Sequence, residues 1–148
     1  MFDPLPVEAL FAPDECDAIL AAADGFEEAG LVGGRRNAHL RRARIAWLDD
    51  DRAPAWLLRR IVEAVAEANR RRFDFAVEGF DERIQIARYP AETEGHFDWH
   101  SDVGEGPLAR RRKLTLVAQL SDPADYAGGR LELNPDGRPQ EAPRARGD

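Results

Sequence analysis

Apolar residues recur at helical spacing in two segments of the first half of the chain. The first segment is FAPDECDAILAAADGF, in which Pro13 suits a first turn and Gly25 suits a helix end. Its apolar stripe comprises Phe11, Ile19, Leu20 and Ala23. The second segment is PAWLLRRIVEAVAEANRRR, which begins at Pro54 and has a stripe of Leu57, Leu58, Ile61, Val62 and Val65. Between the helices, GGRRNAHLRR at residues 33–42 predicts a loop and ARIAWL predicts a short strand.

Apolar and polar residues alternate one by one in the second half of the chain, which predicts β-strands. The alternating segments are FDFAV, RIQIARY, RKLTLVAQL and GRLEL, and turn sequences such as SDPAD and NPDG separate them. Helices followed by antiparallel strands favour an α+β protein whose sheet half is a sandwich or a barrel.

Composition and charge narrow the class of protein. A chain of 148 residues with 33% charged and 43% hydrophobic residues is typical of one soluble domain. No apolar run approaches the roughly 20 residues of a membrane span, and a net charge of -7 argues against nucleic acid as a partner. Cys16 is the single cysteine, which leaves no intrachain disulfide or thiolate zinc cluster and favours a cytoplasmic protein. Most of the arginine clusters, at residues 35–36, 41–42, 70–72 and 110–112, are interpreted as solvated faces.

Side chains that can bind metals concentrate in GHFDWHSDVG, residues 95–104. On a strand, His96, Asp98, His100 and Asp102 would share one face. His100 and Asp102 would be about 6.6 Å apart along the backbone and could bind one ion, but Asp98 satisfies the same spacing. His96 would be roughly 13 Å from His100, too far to share an ion without a bend. An imidazole with a carboxylate begins the two-histidine, one-carboxylate triad that holds Fe(II), and the alternative is a solvated polar strand edge.

Several segments in order carry a family resemblance. QIARYPAETEGHFDWHSD and then RRKLTLVAQLSDPADYAGGRLEL resemble the Fe(II)/2-oxoglutarate-dependent dioxygenase superfamily, in particular its prolyl-4-hydroxylase-like bacterial members, including the PKHD-type hydroxylases. The resemblance implies a double-stranded β-helix, a jelly-roll-like barrel with N-terminal helices packed on it. Residues 1–148 would form a single domain, with 1–80 as helical and strand support and 81–148 as the first part of the barrel.

The resemblance assigns roles by position. His100 and Asp102 match the iron ligands, which decides between the two candidate carboxylates. Tyr89 and Gln119 match positions that contact the co-substrate 2-oxoglutarate, and the double glycine at residues 128–129 matches a tight turn that needs positive φ. The implied activity is hydroxylation of a small-molecule or peptidyl substrate with Fe(II), 2-oxoglutarate and, as a further cofactor, ascorbate.

The resemblance also implies two features that these residues do not supply. Family members carry a second histidine ligand, and an Arg or Lys for the distal carboxylate of 2-oxoglutarate, after a segment like RGD at residues 146–148. His39 is the one histidine outside residues 95–104, and it lies in a basic loop before the barrel strands. We therefore expect a truncated piece of a longer enzyme. The alternatives are completion by a second chain, as in a homo-oligomer, and a degenerate barrel that serves as a binding or oligomerisation module.

Overall fold

A computed structural model describes residues 4–29, 39–48 and 51–148. Its helices and strands are α1 (Pro13–Ala22), β1 (Glu27–Glu28), β2 (Arg41–Arg42), β3 (Arg44–Leu48), α2 (Leu57–Ala68), β4 (Ile84–Arg88), β5 (His96–Phe97), β6 (Glu132–Leu133) and β7 (Gln140–Glu141). The chain falls into two compact units. The first unit comprises Met1–Leu20, Pro54–Glu78 and Leu114–Asp148, and the second comprises Ala21–Ala53 and Gly79–Lys113.

The secondary structure confirms the α+β class. Within the described ranges, two α-helices accompany antiparallel sheets with the strand orders β1-β3-β4, β2-β5 and β6-β7. None of these sheets closes into a barrel over the part of the chain that the structure describes. Among those residues, no helix has the length and apolar character needed to cross a membrane.

Helix α1 begins at Pro13, as the sequence predicts, and the chain takes a left-handed turn at Gly25, where φ is +62°. Phe11 and Ile19 of its predicted stripe are buried in the core, together with Cys16. Cys16 has no exposed surface, and this burial raises the pKa of its thiol. The other two predicted members, Leu20 and Ala23, are only half-buried, so the periodicity identified this buried face in part.

Helix α2 begins at Leu57, three residues after Pro54. A turn precedes it, in which the Leu57 N–H donates to the Pro54 carbonyl at 2.9 Å. Leu57 is buried, but two other members of the predicted stripe, Leu58 and Val62, are 46% and 37% exposed. A π-helical turn, Asn69–Phe73, follows α2.

The strand predicted for FDFAV at residues 73–77 is wrong, because a side chain takes the place of a ladder partner. The Asn69 amide donates to the Phe75 carbonyl at 2.8 Å and accepts from the Phe75 N–H at 3.0 Å. Asp74 adopts a left-handed conformation, with φ of 54°, between them. Backbone groups bonded to a nearby side chain no longer need a neighbouring strand.

The second unit contains the predicted strands ARIAWL and RIQIARY as β3 and β4. They pair over five positions from Arg44↔Arg88 to Leu48↔Ile84, and they bury Ile45, Ala46, Leu48 and Ile86. The loop predicted at residues 33–42 is wrong at its end, because Arg41 and Arg42 form β2 against β5. Residues 39–40 of that predicted loop form a turn, and residues 33–38 lie outside the described residues.

Residues 112–120, predicted as a strand, have no strand assignment. The solvent exposure of these side chains still alternates. Leu114, Leu116 and Ala118 are half-buried, while Thr115 and Val117 are exposed. A strand requires a paired neighbour as well as an alternating pattern. The next predicted strand, GRLEL, is shortened to β6 for the same reason. The double glycine before it has φ of +73° and +59°, as predicted.

Candidate functional site

Residues 95–104 do not form one continuous strand, so the expectation of a shared strand face is wrong. The strand β5 ends at Phe97, and Trp99 lies in a bend. The cause is local: the Asp98 carboxylate accepts a hydrogen bond from the Trp99 N–H at 2.8 Å. Aspartate side chains that bond the following backbone favour turns over ladders.

The bend nevertheless brings together the two residues that the resemblance assigns to iron. His100 Nε2 lies 3.3 Å from Asp102 Oδ1, and the two side chains are 32% and 45% exposed. Asp98, the rival carboxylate, uses its side chain on the neighbouring backbone instead. Both side chains are therefore partly exposed to solvent, while His100 Nε2 and Asp102 Oδ1 lie close together.

Two contacts orient the His100 imidazole. Its Nδ1 lies 2.8 Å from the Asp98 carbonyl oxygen, and its ring stacks on Phe97 with centroids 3.5 Å apart and planes at 8°. A carbonyl oxygen only accepts, so Nδ1 carries a proton and donates it. Nε2 therefore faces the Asp102 carboxylate, so that the two atoms could bind one metal ion.

The spacing of the pair fits a shared metal ion. Two ligand atoms bound at about 2.0–2.2 Å and roughly at right angles around one ion lie about 3 Å apart. The observed 3.3 Å agrees with that separation. A histidine nitrogen whose other ring nitrogen donates to a carbonyl is also the usual arrangement of a metal-binding imidazole. An N and O donor pair suits Fe(II) or a similar divalent transition metal.

His96 is unsuited to bind a metal in this arrangement. Its Nδ1 lies 2.9 Å from the Glu94 carbonyl oxygen and its Nε2 lies 3.1 Å from the His39 carbonyl oxygen. Both nitrogens must donate to satisfy both carbonyls, and these backbone bonds raise the pKa of His96. With a carbonyl oxygen against each ring nitrogen, neither nitrogen of His96 is available to a metal in this arrangement.

The described part of the chain contains no group of three or more His, Cys, Asp or Glu side chains arranged to hold a metal ion. His39, the one histidine outside residues 95–104, contributes its backbone carbonyl to His96. Among these residues the geometry brings together one pair of candidate ligands, His100 and Asp102.

Tyr89 follows β4 in the second unit and its side chain is 44% exposed. Gly95 packs against its backbone: a Cβ built on Gly95 would lie 2.6 Å from the Tyr89 carbonyl carbon. The Gly95 N–H also donates to the Pro90 carbonyl at 2.9 Å, which closes the turn between β4 and β5. Contact of the Tyr89 phenol with 2-oxoglutarate stays a prediction.

Gln119 belongs to the first unit, and its side chain is hydrogen-bonded within that unit. Its amide Nε2 donates to the Tyr126 hydroxyl at 2.8 Å. Its backbone N–H donates to the Asp148 carbonyl at 2.8 Å, and its carbonyl accepts from the Gly147 N–H at 2.7 Å. The role of Gln119 towards 2-oxoglutarate stays a prediction.

Sequence reasoning missed Arg112, which lies beside the candidate ligands. Its Nη1 donates to the Asp102 carbonyl at 2.7 Å, and its Nε and Nη2 donate to the two oxygens of Glu82, the Nε bond being 2.6 Å long. The bond from Arg112 lowers the pKa of the Glu82 carboxyl, and Glu82 in turn raises the pKa of Arg112. The available signal was the alternation of residues 112–120, which places Arg112 on the half-buried side with Leu114.

Arg41 was also interpreted as part of a solvated face, and it is instead held in place. Its guanidinium donates to Gln85 Oε1 at 2.8 Å and lies 4.5 Å from the centre of the Phe97 ring. Phe97 therefore lies between the Arg41 guanidinium and the His100 imidazole.

No protein-family model, no curated protein and no solved structure matches the chain.

Proposed function

We propose that this chain belongs to an Fe(II)- and 2-oxoglutarate-dependent dioxygenase of the prolyl-4-hydroxylase-like type, built on a double-stranded β-helix. The observation that supports it most is the 3.3 Å approach of His100 Nε2 to Asp102 Oδ1. These are the two residues that the motif resemblance assigns to iron, and they converge despite a bend that breaks the strand. The substrate, small or peptidyl, is hydroxylated at a C–H bond.

In this proposal, His100 and Asp102 hold the iron. Iron bound there would supply the activation of O2, with 2-oxoglutarate as co-substrate and ascorbate as reductant. The chain's own residues orient the ligands: the Asp98 carbonyl and the Phe97 ring fix the imidazole of His100. This preorganisation lowers the cost of bringing both ligands to one ion.

The test is an anaerobic titration of the protein with Fe(II) in the presence of 2-oxoglutarate, following the charge-transfer absorption of the chelated co-substrate. We expect the band to saturate near one iron per chain. His100→Ala and Asp102→Asn should abolish it, because each removes one of the two protein ligands.

The same segment provides matched control variants. His96→Gln and Asp98→Asn alter a histidine and a carboxylate that the geometry excludes as ligands, so the band should survive in both. Absence of the band in the unmodified protein, or its loss in the controls but not in His100→Ala, would contradict the proposal.

A second candidate function is a non-catalytic module that binds a partner or forms a homo-oligomer. One observation favours it: within the described ranges, no third His, Cys, Asp or Glu side chain joins His100 and Asp102. This second function predicts that light scattering detects a stoichiometric complex or oligomer. It also predicts that Fe(II) does not change the midpoint of thermal unfolding. Stabilisation by Fe(II) that disappears in His100→Ala would decide for the metal site.

A further inference from the structure

Arg112 makes three hydrogen bonds through one guanidinium group. Two go to Glu82 in a bidentate arrangement, and the third goes from Nη1 to the backbone carbonyl of Asp102 at 2.7 Å. The Glu82 and Arg112 side chains are only 38% and 36% exposed. Bidentate, charge-assisted pairs of this kind are shorter and stronger than neutral hydrogen bonds, and they fix orientation as well as distance.

Asp102 needs such an anchor because it lies in a bend outside the strands. The loop that follows it is closed on itself: the Arg110 N–H donates to the Gly106 carbonyl at 3.0 Å, and the Arg110 side chain donates to the Glu105 carbonyl at 3.0 Å. Arg112 follows this loop and bonds back to Asp102. The backbone position of Asp102, and hence the reach of its carboxylate, therefore depends on Arg112.

We infer that the Glu82–Arg112 pair positions Asp102 so that its carboxylate stays within reach of the metal that His100 holds. Arg112 acts on the backbone of the ligand, and Glu82 holds the guanidinium at the right angle. The inference rests on the proposed metal site, since it assigns a positioning role towards that site.

An arginine is required for this role. Its planar fork can engage both Glu82 oxygens and still direct another N–H at a carbonyl, whereas the single ammonium of lysine keeps the charge without this geometry. Arg112→Lys therefore separates charge from geometry. Arg111 provides a matched control, because it pairs with Asp81 at 3.5 Å one residue earlier.

The experiment measures the dissociation constant of Fe(II) under anaerobic conditions by equilibrium dialysis, without 2-oxoglutarate or turnover. We expect Arg112→Lys to weaken Fe(II) binding about 10- to 100-fold, the usual effect of losing a residue that orients a metal ligand. Glu82→Gln should weaken it less, and Arg111→Lys should leave it within about twofold of the unmodified protein. Thermal unfolding without metal identifies any variant that fails to fold.

A charge-reversed double variant, Glu82→Arg with Arg112→Glu, distinguishes a role in positioning Asp102 from that of a purely structural ion pair. It restores the attraction between the two positions but places no donor at the Asp102 carbonyl. We expect its thermal midpoint to recover relative to the single variants while its Fe(II) binding stays weak. Recovery of both properties, or unchanged Fe(II) binding in Arg112→Lys, would overturn the inference alone. Failure of the unmodified protein to bind Fe(II) would overturn the proposed function and the inference with it.

Discussion

Two histidines four residues apart make different contacts through their ring nitrogens. His96 donates from both ring nitrogens to carbonyl oxygens, whereas His100 has one carbonyl partner and presents its other nitrogen to a carboxylate. Charged neighbours modulate the first of them, since Asp98 favours the protonated form of His96 and Arg42 opposes it. Residue type alone therefore does not identify a ligand in this segment.

The raised pKa of His96 predicts a pH-dependent contribution to stability. Because the folded value lies above the unfolded one, the contribution is complete below about pH 6.5 and is lost as pH rises through the folded pKa. We expect the urea midpoint of the unmodified protein to exceed that of His96→Gln at low pH, and the gap to shrink towards alkaline pH. Other titrating groups cancel in this difference, so a gap that widens with pH would refute the assignment.

Among elements, the turn between β4 and β5 sets where the candidate site begins. It contains the 3-10 turn Ala91–Thr93, a left-handed Glu94 with φ of 50°, and Gly95 closely packed against the Tyr89 backbone. Arg42 adds a hydrogen bond to the Thr93 carbonyl at 2.9 Å. These contacts hold the start of β5, two residues before the carbonyl that orients His100.

Gly95→Ala tests this turn. The new Cβ would lie 2.6 Å from the Tyr89 carbonyl carbon, so the backbone must shift, and we expect a loss of about 1–3 kcal/mol in the free energy of unfolding. Urea unfolding measures it. Gly79→Ala is the control in the same unit, because its Cβ would meet nothing within 4 Å. Equal effects of the two substitutions would show that the turn tolerates a side chain.

Element prediction succeeded where the determinants are local. The start of α1 at Pro13 and the positive φ of the double glycine follow from the residues at those positions. Strand prediction failed at FDFAV and at residues 112–120, since pairing depends on a partner that the alternating pattern does not specify. The His100–Asp102 spacing was visible in the sequence, but the Arg112 contact spans a ten-residue loop and was not.

At the scale of the whole molecule, acidic residues outnumber basic ones. The net charge is -7 at pH 7 and the isoelectric point is about 5.0. Large apolar side chains are also exposed, among them Trp99, Val103 and Leu108. Mutual repulsion at neutral pH opposes association through such surfaces, and this repulsion vanishes at the isoelectric point.

We therefore predict that the protein is least soluble near pH 5. Turbidity measured across a pH series should peak there and fall again at pH 7, where repulsion between like-charged molecules returns. Salt should increase the turbidity at pH 7, because it screens that repulsion. Turbidity that is independent of pH would show that apolar contacts, and not net charge, control association.

The burial of Cys16 makes this residue a built-in reporter of transient opening. The chain has one thiol, and it is inaccessible to solvent. A dye that undergoes disulfide exchange can react with Cys16 only when the surrounding core opens locally. The rate of its colour change therefore measures how often that opening occurs. We expect labelling on the order of a thousandfold slower, or more, than in the denatured chain, with acceleration by urea. Each dye molecule released would record one opening of the core around α1, without any engineered label.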